Sequence, residues 1–167
     1  MPLKPDYYYD SIFLIPYQEL WQNKIRGLIF DIDNTLTPFD RQLPPTKVVA
    51  LLHKLQGMGF SICLLTNNTT GRLNRFNEHL KLDGFANAVK PLTRGVSKCM
   101  KKMGTSPEHT AIIGDQLLSD VWAGKNAGIT TVLVKPMTER DFFFVHAKRV
   151  VERFLLRNYI NHENEKQ

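Results

Sequence analysis

The chain has 167 residues, room for one domain and short for two. Hydrophobic residues make up 43% and charged residues 23%, with a formal net charge of +6, which excludes a disordered, collagen-like or coiled-coil chain. A chain of this size buries roughly 70% of the surface its unfolded form exposes, so its core needs no disulfide or metal staple.

Residues 1–25 read as an aromatic-rich N-terminal extension that packs on the domain, with Tyr7, Tyr8, Tyr9, Phe13, Tyr17 and Trp21. Asp6 and Asp10 flank the tyrosines, and Pro16 interrupts the apolar stretch from Ile12, so the order of a secretion signal is missing. No stretch reaches the ~18 consecutive apolar residues of a membrane span. These features point to a soluble cytoplasmic protein. The positive balance suits anionic partners without choosing among phosphates, nucleic acid and acidic lipid.

Residues 26–136 alternate two kinds of segment. Leu28, Ile29 and Phe30 form a continuous apolar run ending in Asp31, as a strand buried on both faces does. Val48, Leu51, Leu52, Leu55 and Met58 have helical spacing and are stopped by Gly57 and Gly59. Phe60, Ile62, Leu64 and Leu65 predict a second strand ending at Thr66. Thr69 or Thr70 then caps a helix carrying Leu73, Phe76 and Leu80. A short strand is predicted around Ala86 to Val89, followed by a helix with Val96, Met100 and Met103. Ala111 to Ile113 predict a strand that stops at Gly114 and Asp115. Val121, Trp122 and Ala127 mark a helix ended by Gly128, and Thr131 to Val134 mark the last strand. Strands alternating with helices at this spacing imply an α/β fold, a parallel sheet with helices on both faces. Cys63 and Cys99 lie in strand-like and helix-like runs without zinc-type spacing and read as buried free thiols.

The strand ends carry the chemistry. The first ends in Asp31, Ile32, Asp33, Asn34 and Thr35, and the second in Thr66, Asn67 and Asn68. Lys90 follows the third, and Asp115 the fourth, with Asp120 shortly after. In an open parallel sheet ligands bind beyond the carboxyl ends of the strands, so these groups should converge on one crevice. The set matches the needs of phosphoryl transfer. A carboxylate at Asp31 can attack phosphorus and form an aspartyl phosphate. Carboxylate and phosphate repel each other, and a magnesium ion on Asp31, Asp115 and a backbone carbonyl near Asp33 would bridge them. Asp33 is placed to act as general acid and base. Thr66, with Asn67, and the Lys90 ammonium can bind phosphoryl oxygens. Thr35 and Asp120 would support the set, Asp120 by holding the metal, its waters or Lys90.

Taken singly, each element has a plain reading: a common acidic loop, a helix-capping threonine, a solvated lysine, an ordinary Gly-Asp turn, a first-turn carboxylate. Their joint placement after successive strands favours the active site.

With Asp31-Ile32-Asp33-Asn34-Thr35, Thr66, Lys90 and Gly114-Asp115-Gln116-Leu117-Leu118-Ser119-Asp120, the chain resembles the haloacid dehalogenase superfamily of phosphohydrolases at all four motifs. The resemblance implies a three-layer Rossmann-like fold, Mg²⁺ dependence and Asp31 as nucleophile. An acidic residue at Asp33 is the pattern of the phosphatase members. The intervals from Asp33 to Thr66 and from Thr66 to Lys90 are filled by ordinary elements and leave no space for a cap domain. An open crevice suits a large or surface-bound substrate, or a site completed by oligomerisation. Among cap-less members the chain looks most like the phosphatidylglycerophosphate phosphatases. That likeness rests on its length, the run to Leu36, the form of the fourth motif and the tail from Lys135-Pro136.

Residues 137–167 form a basic, apolar tail with Phe142, Phe143, Phe144, Phe154, Leu155 and Leu156 among Arg140, Lys148, Arg149, Arg153 and Arg157. An amphipathic helix here could lie on an anionic bilayer at the inner face or pack its apolar side on the sheet. The leading expectation is a Mg²⁺-dependent phosphatase acting on phosphatidylglycerophosphate. A soluble sugar phosphate or nucleotide, or a phosphoprotein, stays open as substrate. The other classes are a signalling receiver domain, which orders its acids differently, and a non-catalytic lipid-binding module. No nucleic-acid motif is present.

Overall fold

The computed structural model describes residues 3–138. In chain order the elements are β1 (Tyr7–Tyr9), α1 (Tyr17–Gln22), β2 (Gly27–Phe30), α2 (Thr46–Gly57), β3 (Ser61–Leu65), α3 (Thr70–Phe76), β4 (Asp83–Phe85), α4 (Arg94–Met103), β5 (Thr110–Gly114), α5 (Trp122–Ala127) and β6 (Thr130–Val134). A π-helical turn, Leu117–Val121, leads directly into α5. The six strands make one parallel sheet in the order β1-β6-β5-β2-β3-β4.

Alternation along the strands divides the core in two. Leu28, Phe30, Ile62, Leu64, Ala111 and Ile113 face the layer of α1, α2 and α3, against Leu20, Val48, Leu52, Leu55 and Phe76. Ile29, Cys63, Leu65 and Ile112 face the opposite layer, against Val96 and Cys99 of α4 and Ala123 of α5. Both cysteines are buried and free, as their runs predict. The result is the three-layer Rossmann-like fold, without a cap domain among the described residues. From β2 the chain steps outward through β3 to β4 and then returns to β5 on the other flank of β2. That reversal opens a crevice between β2 and β5 at their carboxyl ends.

Four structural differences from the sequence reading have physical causes. β4 is Asp83–Phe85, three residues before the run from Ala86, because pairing with Cys63 to Leu65 on β3 selects it over apolar content. α3 ends at Phe76, so the buried Leu80 reaches the core from a loop. The segment around Asp120 begins as a π-helical turn rather than an α-helix. The aromatic extension supplies β1, which pairs parallel to β6 through Tyr7–Val132 and Tyr9–Val134. Asp6 fixes that edge: its carboxylate accepts from the Thr131 backbone N–H at 2.8 Å and hydroxyl at 2.9 Å, and from Lys125. The tail from residue 139 onward, where an amphipathic helix is expected, lies outside the described residues. No helix among the described residues is long and apolar enough to cross a membrane.

Candidate active site

The site is assembled at the strand ends. Pairing of β2 with β5 continues one residue further, where the Asp31 N–H donates to Ile113 O at 3.0 Å. This carries Asp31 to the mouth of the crevice, beside the chain leaving β5. A tight turn follows, in which Asn34 adopts φ +62 and its N–H donates to Thr37 O at 2.7 Å. Asparagine tolerates that left-handed conformation better than most residues.

Lys90 organises the centre. Its ammonium is almost wholly buried and donates to Asp31 Oδ1 at 2.7 Å, Asp120 Oδ1 at 2.6 Å and Leu65 O at 3.0 Å. Three acceptors use all three of its protons. The backbone around it is held by Asn67, whose Oδ1 accepts from the Lys90 N–H at 2.7 Å. The other oxygen of Asp120 accepts from the Gln116 N–H at 3.1 Å, so Asp120 pins both the lysine and the loop after β5. Gly114 makes room for this: a Cβ there would overlap the Asp120 carboxyl.

Thr35 links the two acids flanking the switch point, with its hydroxyl 3.3 Å from Asp31 Oδ2 and 3.1 Å from Asp115 Oδ1. Carboxylate oxygens of Asp31, Asp115 and Asp120 lie within 4.8 Å of one another. Burial drives the Asp31 carboxyl up, to about 7, against the pull of Lys90 and with the help of Asp120 and Asp33. Burial, with Asp31 and Asp120 nearby, likewise raises Asp115 well above the ordinary carboxylate value. Lys90 is held above its own ordinary value: burial opposes this, and the charges of Asp120 and Asp31 prevail.

Asp33 stands apart from this cluster. Its Oδ1 accepts from Arg72 Nε at 3.0 Å and Nη2 at 2.9 Å, and its Oδ2 from Asn68 Nδ2 at 3.1 Å. Thr66 is buried at the end of β3, and its hydroxyl oxygen accepts from the Asn68 N–H at 3.0 Å, which leaves the hydroxyl proton available.

The crevice therefore brings Asp31, Thr35, Lys90, Asp115 and Asp120 into one contact network, with Asn67 supporting Lys90. Asp33 lies outside that network, held by Arg72 and Asn68. Sequence reading missed Arg72, which is nine-tenths buried. The available signal was its position four residues before Phe76, which puts it on the inward face of α3.

A divalent cation fits this donor set. Arg72 neutralises Asp33, whereas Lys90 alone faces Asp31, Asp115 and Asp120. With all three ionised, two negative charges are left close together, with Asp31 and Asp120 buried and Asp115 half-buried, and Asp31 and Asp115 carry the strain as raised pKa values. All donors are oxygens, as magnesium requires.

Residues 39–134 match the model of a family described as haloacid dehalogenase-like hydrolase. The chain is 32% identical over 152 residues to the protein named "Probable phosphatase YqeG" from Bacillus subtilis (strain 168), covering 91% of this chain and 88% of that one. It is 28% identical over 145 residues to chloroplastic phosphatidylglycerophosphate phosphatase 1 of Chlamydomonas reinhardtii, covering 79% of this chain and 53% of the algal protein, about half its length. Its fold resembles that of 3-deoxy-D-manno-octulosonate 8-phosphate phosphatase from Moraxella catarrhalis, solved with magnesium and phosphate ions. There the TM-score is 0.56 at 21% identity, over 69% of this chain and 72% of that one.

Proposed function

The chain belongs to the haloacid dehalogenase-like hydrolases, and from that premise we propose that it is a Mg²⁺-dependent phosphatase that converts phosphatidylglycerophosphate to phosphatidylglycerol. The observation that carries the catalytic reading is the buried Lys90 ammonium between Asp31 and Asp120, with the Asp115 carboxylate alongside.

In this reading Asp31 is the nucleophile. One of its oxygens forms a bond to phosphorus as the ester P–O bond breaks, and the leaving oxygen takes a proton that Asp33 carries on Oδ2, the oxygen not paired with Arg72. The aspartyl phosphate is then hydrolysed by a water whose proton returns to Asp33, releasing inorganic phosphate. Such acid–base help is worth about 10²–10⁴-fold. When the phosphate enters, the Lys90 proton that faces Asp31 turns to a phosphoryl oxygen, and Thr66 and Asn67 bind alongside it, where negative charge concentrates during transfer. Asp120 positions Lys90, and Thr35 orients Asp31 and Asp115. Magnesium, held by Asp31, Asp115 and the backbone at Asp33, would supply charge neutralisation between nucleophile and phosphate.

The algal relative's substrate and the cap-less crevice, open to a phosphate presented at a surface, support the lipid ester over soluble substrates. The test is phosphate release from phosphatidylglycerophosphate vesicles, sugar phosphates and nucleotides, with and without Mg²⁺, using Asp31→Asn as the blank. Full activity in Asp31→Asn refutes the nucleophile assignment. Turnover of only the soluble esters refutes the lipid one.

A further inference from the structure

Among the described residues, the exposed large apolar side chains fall into two groups. Tyr7, Tyr8, Phe13 and Leu14 belong to the N-terminal segment. The others are all aliphatic: Val89 at 55% exposure, Leu118 at 46%, Leu43 at 41%, Leu92 at 40% and Leu117 at 36%. All five lie in segments leaving the carboxyl ends of β2, β4 and β5, the end of the sheet that holds the crevice.

Their neighbours tie them to the catalytic cluster. Val89 and Leu92 bracket Lys90 and Pro91, and Leu117 and Leu118 lie between Asp115 and Asp120. Leu43 follows Gln42, whose carbonyl accepts from Arg72 Nη1 at 2.9 Å. Val89 holds φ +54, a costly conformation for a β-branched residue, at the point where the chain turns Lys90 inward and leaves the valine outside. Exposed Arg41 and Arg94 share these segments, with Asp40 their one exposed acid.

We infer that this aliphatic rim is a docking surface for an anionic phospholipid bilayer. The inference deepens the phosphatase reading and rests on it for what enters the pocket. A polar, phosphate-binding hole ringed by separate aliphatic side chains and arginines fits a membrane surface. The leucines and the valine enter the boundary of the acyl layer, the arginines meet neighbouring lipid phosphates, and a phosphomonoester headgroup projects into the crevice. A protein partner would instead be met by exposed aromatic anchors in a continuous patch, and among the described residues the strongly exposed rim side chains are all aliphatic.

The test uses the full chain, wild type and Leu92→Gln/Leu118→Gln, co-sedimented with phosphatidylcholine vesicles with and without phosphatidylglycerol. Turnover of a soluble aryl phosphate is measured in parallel. Wild type is expected to partition onto the anionic vesicles, and the double variant about tenfold more weakly, since two leucines no longer bury apolar surface. Its aryl phosphate turnover is expected to be unchanged, which also reports that it is folded. Wild type remaining in the supernatant overturns the proposal. So does a double variant that partitions as well as wild type, which would place the membrane contact elsewhere in the chain. An equal fall in aryl phosphate turnover would also overturn it, because the rim would then be part of the site itself. A wild type that binds vesicles but hydrolyses no aryl phosphate leaves the docking result standing and removes the catalytic reading.

Discussion

Arg72 grips a single oxygen of Asp33 with two nitrogens, Nε at 3.0 Å and Nη2 at 2.9 Å, in a pair that is almost wholly buried. Its third nitrogen, Nη1, donates to the Gln42 carbonyl, so one guanidinium joins α3, the turn after β2 and the loop beyond it. Removing one partner of a buried ion pair leaves the other charge uncompensated, which costs about 3–5 kcal/mol. Arg72→Ala should therefore lower the melting temperature and reduce kcat by releasing Asp33. Arg72→Lys should recover part of the stability while recovering less kcat, because an ammonium cannot reproduce the fork. Equal kcat in all three proteins would remove Arg72 from the account.

Lys90→Met should abolish phosphate release, by about 10²–10³-fold or more, as loss of one oriented donor does in other sites. It should also leave Asp31, Asp115 and Asp120 without their cation. The variant should then depend on Mg²⁺ to stay folded at neutral pH. Thermal melts with EDTA and with Mg²⁺ measure this directly.

Gly114→Ala tests the close approach behind Asp120. A Cβ there overlaps the Asp120 carboxyl, so Asp120 must move and Lys90 with it. A 1 Å misplacement costs about 10²-fold in rate. Activity should fall by that order while the circular dichroism spectrum stays native.

The pH dependence follows from Asp31 and Asp115. Both carboxyls bind protons more tightly folded than unfolded, Asp31 with a value of about 7 against an ordinary 3.8. Without metal, stability from these groups is greatest below 3.8 and falls as pH rises toward 7. A divalent cation must displace those protons, so its affinity rises over the same interval. The Mg²⁺-induced gain in melting temperature should be larger at pH 8 than at pH 6, and calorimetry in buffers of different ionisation enthalpy should detect proton release.

At the edge of the sheet, Asp6→Ala removes the hydrogen bonds to Thr131 and Lys125. The carboxyl is lowered despite burial, through Lys125 and Thr131, so its contribution is present above pH 3.8 and lost below it. The side chain is 39% exposed, which limits the effect to about 1 kcal/mol, or roughly 2–4 °C in the melting temperature at neutral pH. An unchanged melting temperature would show that β1 is held by its backbone pairing alone.

The central strands were legible because β2, β3, β5 and β6 are buried on both faces and read as unbroken apolar runs. The acids, hydroxyl and amine beyond them were legible because a parallel sheet delivers every carboxyl end to one side. β4 was displaced in the reading because Asp83 and Gly84 have poor strand propensity, and only the ladder to β3 selects them. β1 went unrecognised because its partner is some 125 residues away, a relation no local pattern encodes. Arg72 was missed because charge at a helix surface usually means solvent, whereas here it answers a carboxylate from another strand's end.

The pairing of Tyr7–Tyr9 with Val132–Val134 has a further consequence for biosynthesis. The Tyr7–Tyr9 segment cannot find its place until β6 has left the ribosome, so the nascent chain carries an unmatched tyrosine ribbon until then. Docking of β1 is thus a closure across some 125 residues, and such distant closure is slow compared with local helix formation.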